Sequence, residues 1–157
     1  ALDGEGPFAP ERSGGLPGAA IVDWCFAPGA SKEAVLLRIA GNGGLKAYVQ
    51  TNSGVEVAQR MLQGDLKAIQ VMEAMAYQVA KEMGAMAVVL QGQVDALILT
   101  GGLAHNHWLV EQIKKQIAFL GPVVVYAGED EMLALAHSAQ RALGGAIKVR
   151  VYPPVGE

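Results

Sequence analysis

The chain has 157 residues, the size of one domain, and its 52% hydrophobic against 17% charged composition excludes a disordered segment. A formal net charge of −3 with no basic block argues against nucleic acid and anionic membrane as partners, and charges and glycines interrupt every candidate membrane span. The mean hydropathy of +0.27 is high for a soluble monomer, so part of the apolar surface is expected to be covered by a partner or by another domain.

Residues 1–18 contain Gly4, Gly6, Pro7, Pro10, Gly14, Gly15, Pro17 and Gly18, a density that allows no long element and predicts an ordered loop or strand edge. The opening residues, without an initiator methionine, read as the middle of a longer chain. Arg12 stands in a glycine-flanked turn, where a guanidinium can clamp carboxylate or phosphate bidentately; pairing with Glu11 or Asp3 is the plain alternative. Residues 19–27 predict a short helix with Ile21, Val22, Trp24, Cys25 and Phe26 as apolar positions. Cys25, the only cysteine, is expected to be a packed core thiol, because no cation beside it lowers its pKa. A single cysteine allows no internal disulfide and fits the cytoplasm. Ser31 caps the next helix, with Val35, Leu36 and Ile39 expected inside, and the glycines of 41–44 stop it. Residues 44–50 read as a short extended segment.

From Val55 to Met61 the pattern is helical, and Gly64-Asp65 restarts it. Leu66, Ile69, Met72, Met75, Val79, Met83, Met86 and Leu90 recur at steps of three or four, predicting the longest helix, about 25 residues. Its methionine stripe suits either an adaptable partner surface or ordinary packing against a sheet.

The organising stretch is 94–108. Ala96 to Leu99 read as a strand buried on both faces of a parallel sheet, ended by Thr100, Gly101 and Gly102. Asn106 suits a helix N-cap, with Leu109, Ile113, Ile117 and Leu120 at helical spacing. Strand, glycine turn and helix start together gather unpaired N–H groups and a favourable dipole for a nucleotide, although a ligand-free β-α connection has the same pattern. After Gly121-Pro122, residues 123–126 form a second strand. The acidic run 128–131 then opens a helix carrying Met132, Leu133, Leu135, Ala136 and Leu143, and its carboxylates either complement the dipole or place magnesium beside phosphates. His105 and His107 make a weak metal pair, and His137 reads as structural. Residues 147–157 are a terminal strand or tail. Strands alternating with helices predict a parallel sheet.

Residues 1–14, 73–85, 94–103 and 128–132, four separated motifs in order, resemble the carboxylate kinases of the acetate and butyrate kinase family. The resemblance implies an α/β, ribonuclease-H-like (actin-like ATPase) fold, a mixed sheet with flanking helices. It also implies that 1–157 is a single domain, most of the second (C-terminal) domain of a two-domain kinase whose first domain is absent. The implied reaction is reversible ATP-dependent phosphorylation of a short-chain carboxylate, butyrate or a branched-chain acid, to the acyl phosphate. ATP and Mg2+ are the implied cofactors. The short-chain fatty acid, the missing N-terminal domain and a second copy in a homodimer are the implied partners, and the chain alone is expected to be inactive. By motif, Arg12 is similar to the arginine that meets the transferring phosphoryl group. Gly101, Gly102, Leu103, Ala104 and Asn106 resemble the nucleotide-binding turn, and Asp130 and Glu131 the magnesium-organising group. Near Asn52 the family pattern has an acidic residue and an arginine where Ser53 and Val55 stand here. An acetate or propionate kinase is the rival within the class, and a non-catalytic nucleotide-binding or dimerisation module the rival outside it.

Overall fold

A computed structural model describes residues 4–128 and 130–150. Its helices are α1 (Gly18–Cys25), α2 (Lys32–Ile39), α3 (Gly44–Val49), α4 (Gly54–Leu62), α5 (Leu66–Val89), α6 (His107–Ile117) and α7 (Glu131–Leu143); the strands are β1 (Leu97–Gly101) and β2 (Val123–Ala127). A 3-10 turn, Gly102–His105, joins β1 to α6.

The predicted β-α-β unit is present: β1 and β2 pair in parallel, from Leu97 opposite Val123 to Gly101 opposite Ala127, with α6 as the crossover. α5 packs against α6, and α3 and α4 pack against α5. The core they enclose takes Phe8 from the N-terminal loop, Leu45 and Val49 from α3, Val57 from α4, and Met72 and Met75 from α5. Leu97 and Leu99 of β1 and Leu109, Ile113 and Ile117 of α6 complete it. Side-chain caps start several helices as the residue types predict: Ser31, Ser53, Asp65 and Asn106 each accept a backbone N–H three residues on.

Several expectations change. Residues 44–50 are not extended but form α3, because the carbonyls of Ala9, Pro10 and Glu11 accept the N–H groups of Leu45, Lys46 and Gly43 at its start, and Leu45 and Val49 fall one turn apart on its buried side. Cys25 is exposed rather than packed, since α1 places no residue in the core. Leu36 is also exposed; Val35 is the buried residue of α2. β1 is buried on one face only: Leu97 and Leu99 point inward and Ile98 outward, and the strand continues through Thr100 and Gly101. On α5 the inner face is made by Ala68, Met72, Met75, Ala76 and Ala80, whereas Leu66, Met86 and Leu90 are exposed. Small alanines there let neighbouring elements approach closely. His137 is exposed on α7, which buries no residue. Residues 147–150 form no strand, and the remainder of that expected terminal strand lies outside the described residues. No helix among the described residues is long and apolar enough to cross a membrane.

Candidate functional site

A cleft of about 730 Å³ opens between three segments distant in sequence: the loop carrying Ala9, Pro10 and Arg12, one face of α4 and the corner from Thr100 to His107. Each wall has a local cause.

The Arg12 loop is held by backbone. The carbonyl of Glu11 accepts the N–H groups of Gly41 (2.9 Å) and Gly43 (3.0 Å), and those of Ala9 and Pro10 accept Leu45 N–H (3.2 Å) and Lys46 N–H (3.0 Å). Ser13 N–H donates to Ile39 at 2.9 Å on the other side of Arg12. Phe8, just upstream, is fixed by its N–H to Gln78 Oε1 at 3.0 Å and by an edge-on contact with the Tyr48 ring. The result is an exposed arginine on a rigid turn. Glu11 is engaged elsewhere, accepting from Asn52 Nδ2 at 2.9 Å and lying 3.7 Å from Lys46 Nζ. Among the described residues the Arg12 guanidinium has no ion pair or hydrogen bond, so the alternative of pairing with Glu11 is not what the fold adopts. Asp3, its other suggested partner, lies outside the described residues.

The second wall is α4, whose Val55, Ala58, Gln59 and Leu62 line the cleft while Val57 faces the core. Ser53 is its N-cap, which gives that position a local structural use. Gly54 abuts Leu103: a β-carbon on Gly54 would lie 3.0 Å from Leu103 Cδ2. The third wall is the corner itself. Gly101 has φ of 90°, a conformation glycine adopts without strain, and it turns the chain from β1 into the 3-10 turn. Asn106 then caps α6, its Oδ1 accepting Leu109 N–H at 3.0 Å.

Of the residues singled out by motif, Arg12, Gly101, Gly102, Leu103 and Asn106 thus line one cleft. Ala104 is buried in the core behind it. Asp130 and Glu131 do not line that cleft but are attached to its corner, since Gly101 and Gly128 exchange both backbone hydrogen bonds (3.2 and 3.1 Å) two residues before Asp130. Both carboxylates are exposed, and the Asp130 side chain caps no N–H. Among the described residues no three His, Cys, Asp or Glu side chains converge as a metal site. Two exposed carboxylates without a side-chain partner among the described residues, beside an open cleft, fit a cation that keeps most of its waters and shares phosphate oxygens, which is how magnesium binds. The α4 wall escaped sequence reading, though 55, 58, 59 and 62 stand at the i, i+3, i+4, i+7 spacing of one helical face.

A model of the acetokinase family matches residues 5–143. The chain belongs to the acetokinase family. Butyrate kinase 2 of Clostridium acetobutylicum is 46% identical over 97% of this acetokinase-family chain and 43% of that protein. A probable butyrate kinase of Bacteroides thetaiotaomicron is 44% identical over the same shares. The chain therefore spans less than half the length of these curated relatives. Among solved structures, an acetate kinase of Porphyromonas gingivalis superposes with a TM-score of 0.76 at 18% identity, over 87% of this chain and 41% of that one. A propionate kinase of Francisella tularensis gives 0.71 at 22% identity, over 82% and 39%. The likeness shows that this acetokinase-family chain has the α/β fold of the matching part of those enzymes.

Proposed function

We propose that the chain is the C-terminal, nucleotide-binding half of a cytoplasmic carboxylate kinase that uses ATP to convert butyrate or a branched short-chain acid to the acyl phosphate, reversibly. The observation that supports this best is the convergence of an arginine, without a side-chain partner among the described residues, and a glycine corner on one cleft, in a chain 46% identical to a butyrate kinase. In this reading Gly101, Gly102, Leu103 and Asn106 hold the nucleotide, with Ala104 seating the turn on the core. Arg12 neutralises charge on the phosphoryl group in flight and orients the acceptor carboxylate, a role that needs a preorganised cation with no competing anion. Asp130 and Glu131 would hold magnesium through its waters, and that ion would shield the phosphate oxygens. A first domain completes the cleft, and the chain without it is inactive; the assembled kinase is a homodimer.

The test is acyl phosphate formation from MgATP, trapped as the hydroxamate, with butyrate, isobutyrate and acetate as acceptors, by this chain and by the full-length protein. Activity of the full-length protein alone, highest with butyrate or isobutyrate, is expected. Preference for acetate would move the assignment to the acetate or propionate branch, and no acyl phosphate with any acid would overturn the kinase reading.

A further inference from the structure

Resting on the kinase reading above, in which Arg12 receives the acceptor carboxylate, we infer that Asn52 and Lys46 are positioning residues. Together they hold the Glu11 carboxylate off Arg12 and so keep that cation available to the substrate.

The need for such a restraint is written in the sequence. Glu11 is the chain neighbour of Arg12, and its side chain ends in the same group as the proposed acceptor, a carboxylate. A carboxylate tethered one residue away competes for the guanidinium at an effective concentration of about a millimolar or more. Unrestrained, Glu11 would act as a built-in analogue of the substrate. The structure shows it restrained: Asn52 Nδ2 donates to Glu11 Oε1 at 2.9 Å, and Lys46 Nζ lies 3.7 Å from that same oxygen. The two partners come from separate places, Lys46 from α3 and Asn52 from the turn before α4. Lys46 is itself fixed, because its Nζ donates to the Gly41 carbonyl at 3.0 Å. Asn52 lines the same cleft as Arg12, so the carboxylate it holds stands at the rim of that cleft.

These side-chain contacts do not shape the loop; its backbone does. The Glu11 carbonyl accepts the N–H groups of Gly41 and Gly43, Ser13 N–H donates to Ile39, and Arg12 forms an antiparallel bridge with Ala40. Removing the Asn52 and Lys46 side chains therefore leaves Arg12 presented as before and releases only the carboxylate. The Glu11 side chain is 45% exposed, so no surrounding packing would keep it in place. Once released, it occupies Arg12 in most of the molecules and the substrate has to displace it. Apparent affinity then falls with the fraction of competent protein, while the rate at saturation is kept.

The experiment measures kcat and KM for butyrate in acyl phosphate formation by the full-length protein: wild type, the double variant Asn52→Ala with Lys46→Met, and the triple variant that adds Glu11→Gln. The double variant should raise KM for butyrate about tenfold, the scale of one charge-assisted bond, with kcat within about twofold of wild type. The triple variant should return KM to within about twofold of wild type, because a neutral amide does not compete for a guanidinium. An unmoved KM, a raised KM that Glu11→Gln fails to restore, or a loss that falls on kcat overturns the inference, the last two marking a merely structural role. Both side chains are exposed, so melting temperatures should hold. If the double variant fails to fold, Asn52→Ala alone, with and without Glu11→Gln, gives the same comparison. If wild type makes no acyl phosphate, the kinase reading fails and binding of inorganic phosphate by calorimetry takes its place, with Arg12→Ala defining the share that depends on Arg12. That share weakened in the double variant and restored in the triple would keep the restraint on Glu11, and a share indifferent to Glu11 would overturn it.

Discussion

A β-carbon on Gly44 would lie 1.6 Å from the carbonyl oxygen of Ala9 and 2.7 Å from that of Arg12, at a φ of 59° that L side chains rarely adopt. The atoms in the way are backbone, so nothing flexible can yield. Gly44→Ala is therefore expected to lower stability by more than about 3 kcal/mol, read as a fall in melting temperature of the full-length protein, and to displace the loop that presents Arg12. A second residue-scale effect concerns Asp65. The N–H of Ala68 and then the Arg60 guanidinium, 2.8 Å away at Nε, hold its carboxyl below the usual carboxylate range. A depressed value means that the stabilisation is present above the ordinary carboxylate pKa and is lost as pH falls through the lowered one. Asp65→Asn keeps a capping oxygen and removes the charge, so the melting-temperature gap between wild type and variant should be widest near neutrality and close on acidification. A gap independent of pH would contradict that account. The caps at Ser31 and Asn106 were legible because a cap is local chemistry, decided within three residues. The role of Gly44 was not, because its obstructing carbonyls belong to a loop more than 30 residues earlier in the chain.

At the scale of elements, α5 carries the domain. It meets α3, α4 and α6, and Met72 and Met75 are almost completely buried along it. Met72→Ala should cost about 2–5 kcal/mol, the transfer of the thioether plus the cavity left between elements that cannot collapse, measurable by denaturant unfolding. A loss below about 1 kcal/mol would mean that the site repacks. The length of α5 was readable from its apolar period, 24 residues observed against about 25 expected, yet the inner face was not, because alanine gives a weak hydrophobic signal and the larger exposed residues masked it. The six residues of α3 defeat periodicity for a different reason: one turn and a half is too short to separate a helix from an extended run, and contacts with the loop decided it. β1 was expected to be buried on both faces because its apolar run is continuous, but Ile98 is 57% exposed. Composition reports what a strand can bury, and its neighbours decide what it does bury.

At the scale of the whole molecule, the cleft is a product of the β-α-β unit, of α4 and of the loop docked on α3. The family was legible from four separated motifs, and the α/β fold it implied was found; that the α4 face joins the Arg12 loop at one cleft was not, since it depends on the Asn52 to Glu11 bond between distant segments. In the proposed reaction Arg12 acts on a phosphoryl group held by the glycine corner. The most direct measurement is single-turnover transfer of the γ-phosphoryl group of ATP to butyrate by the full-length protein, wild type and Arg12→Ala, with ADP affinity determined in parallel. The transfer rate should fall about 100-fold or more, the loss of one preorganised charge in the transition state, with ADP affinity changed less than about threefold. Transfer at the wild-type rate in Arg12→Ala would contradict that role.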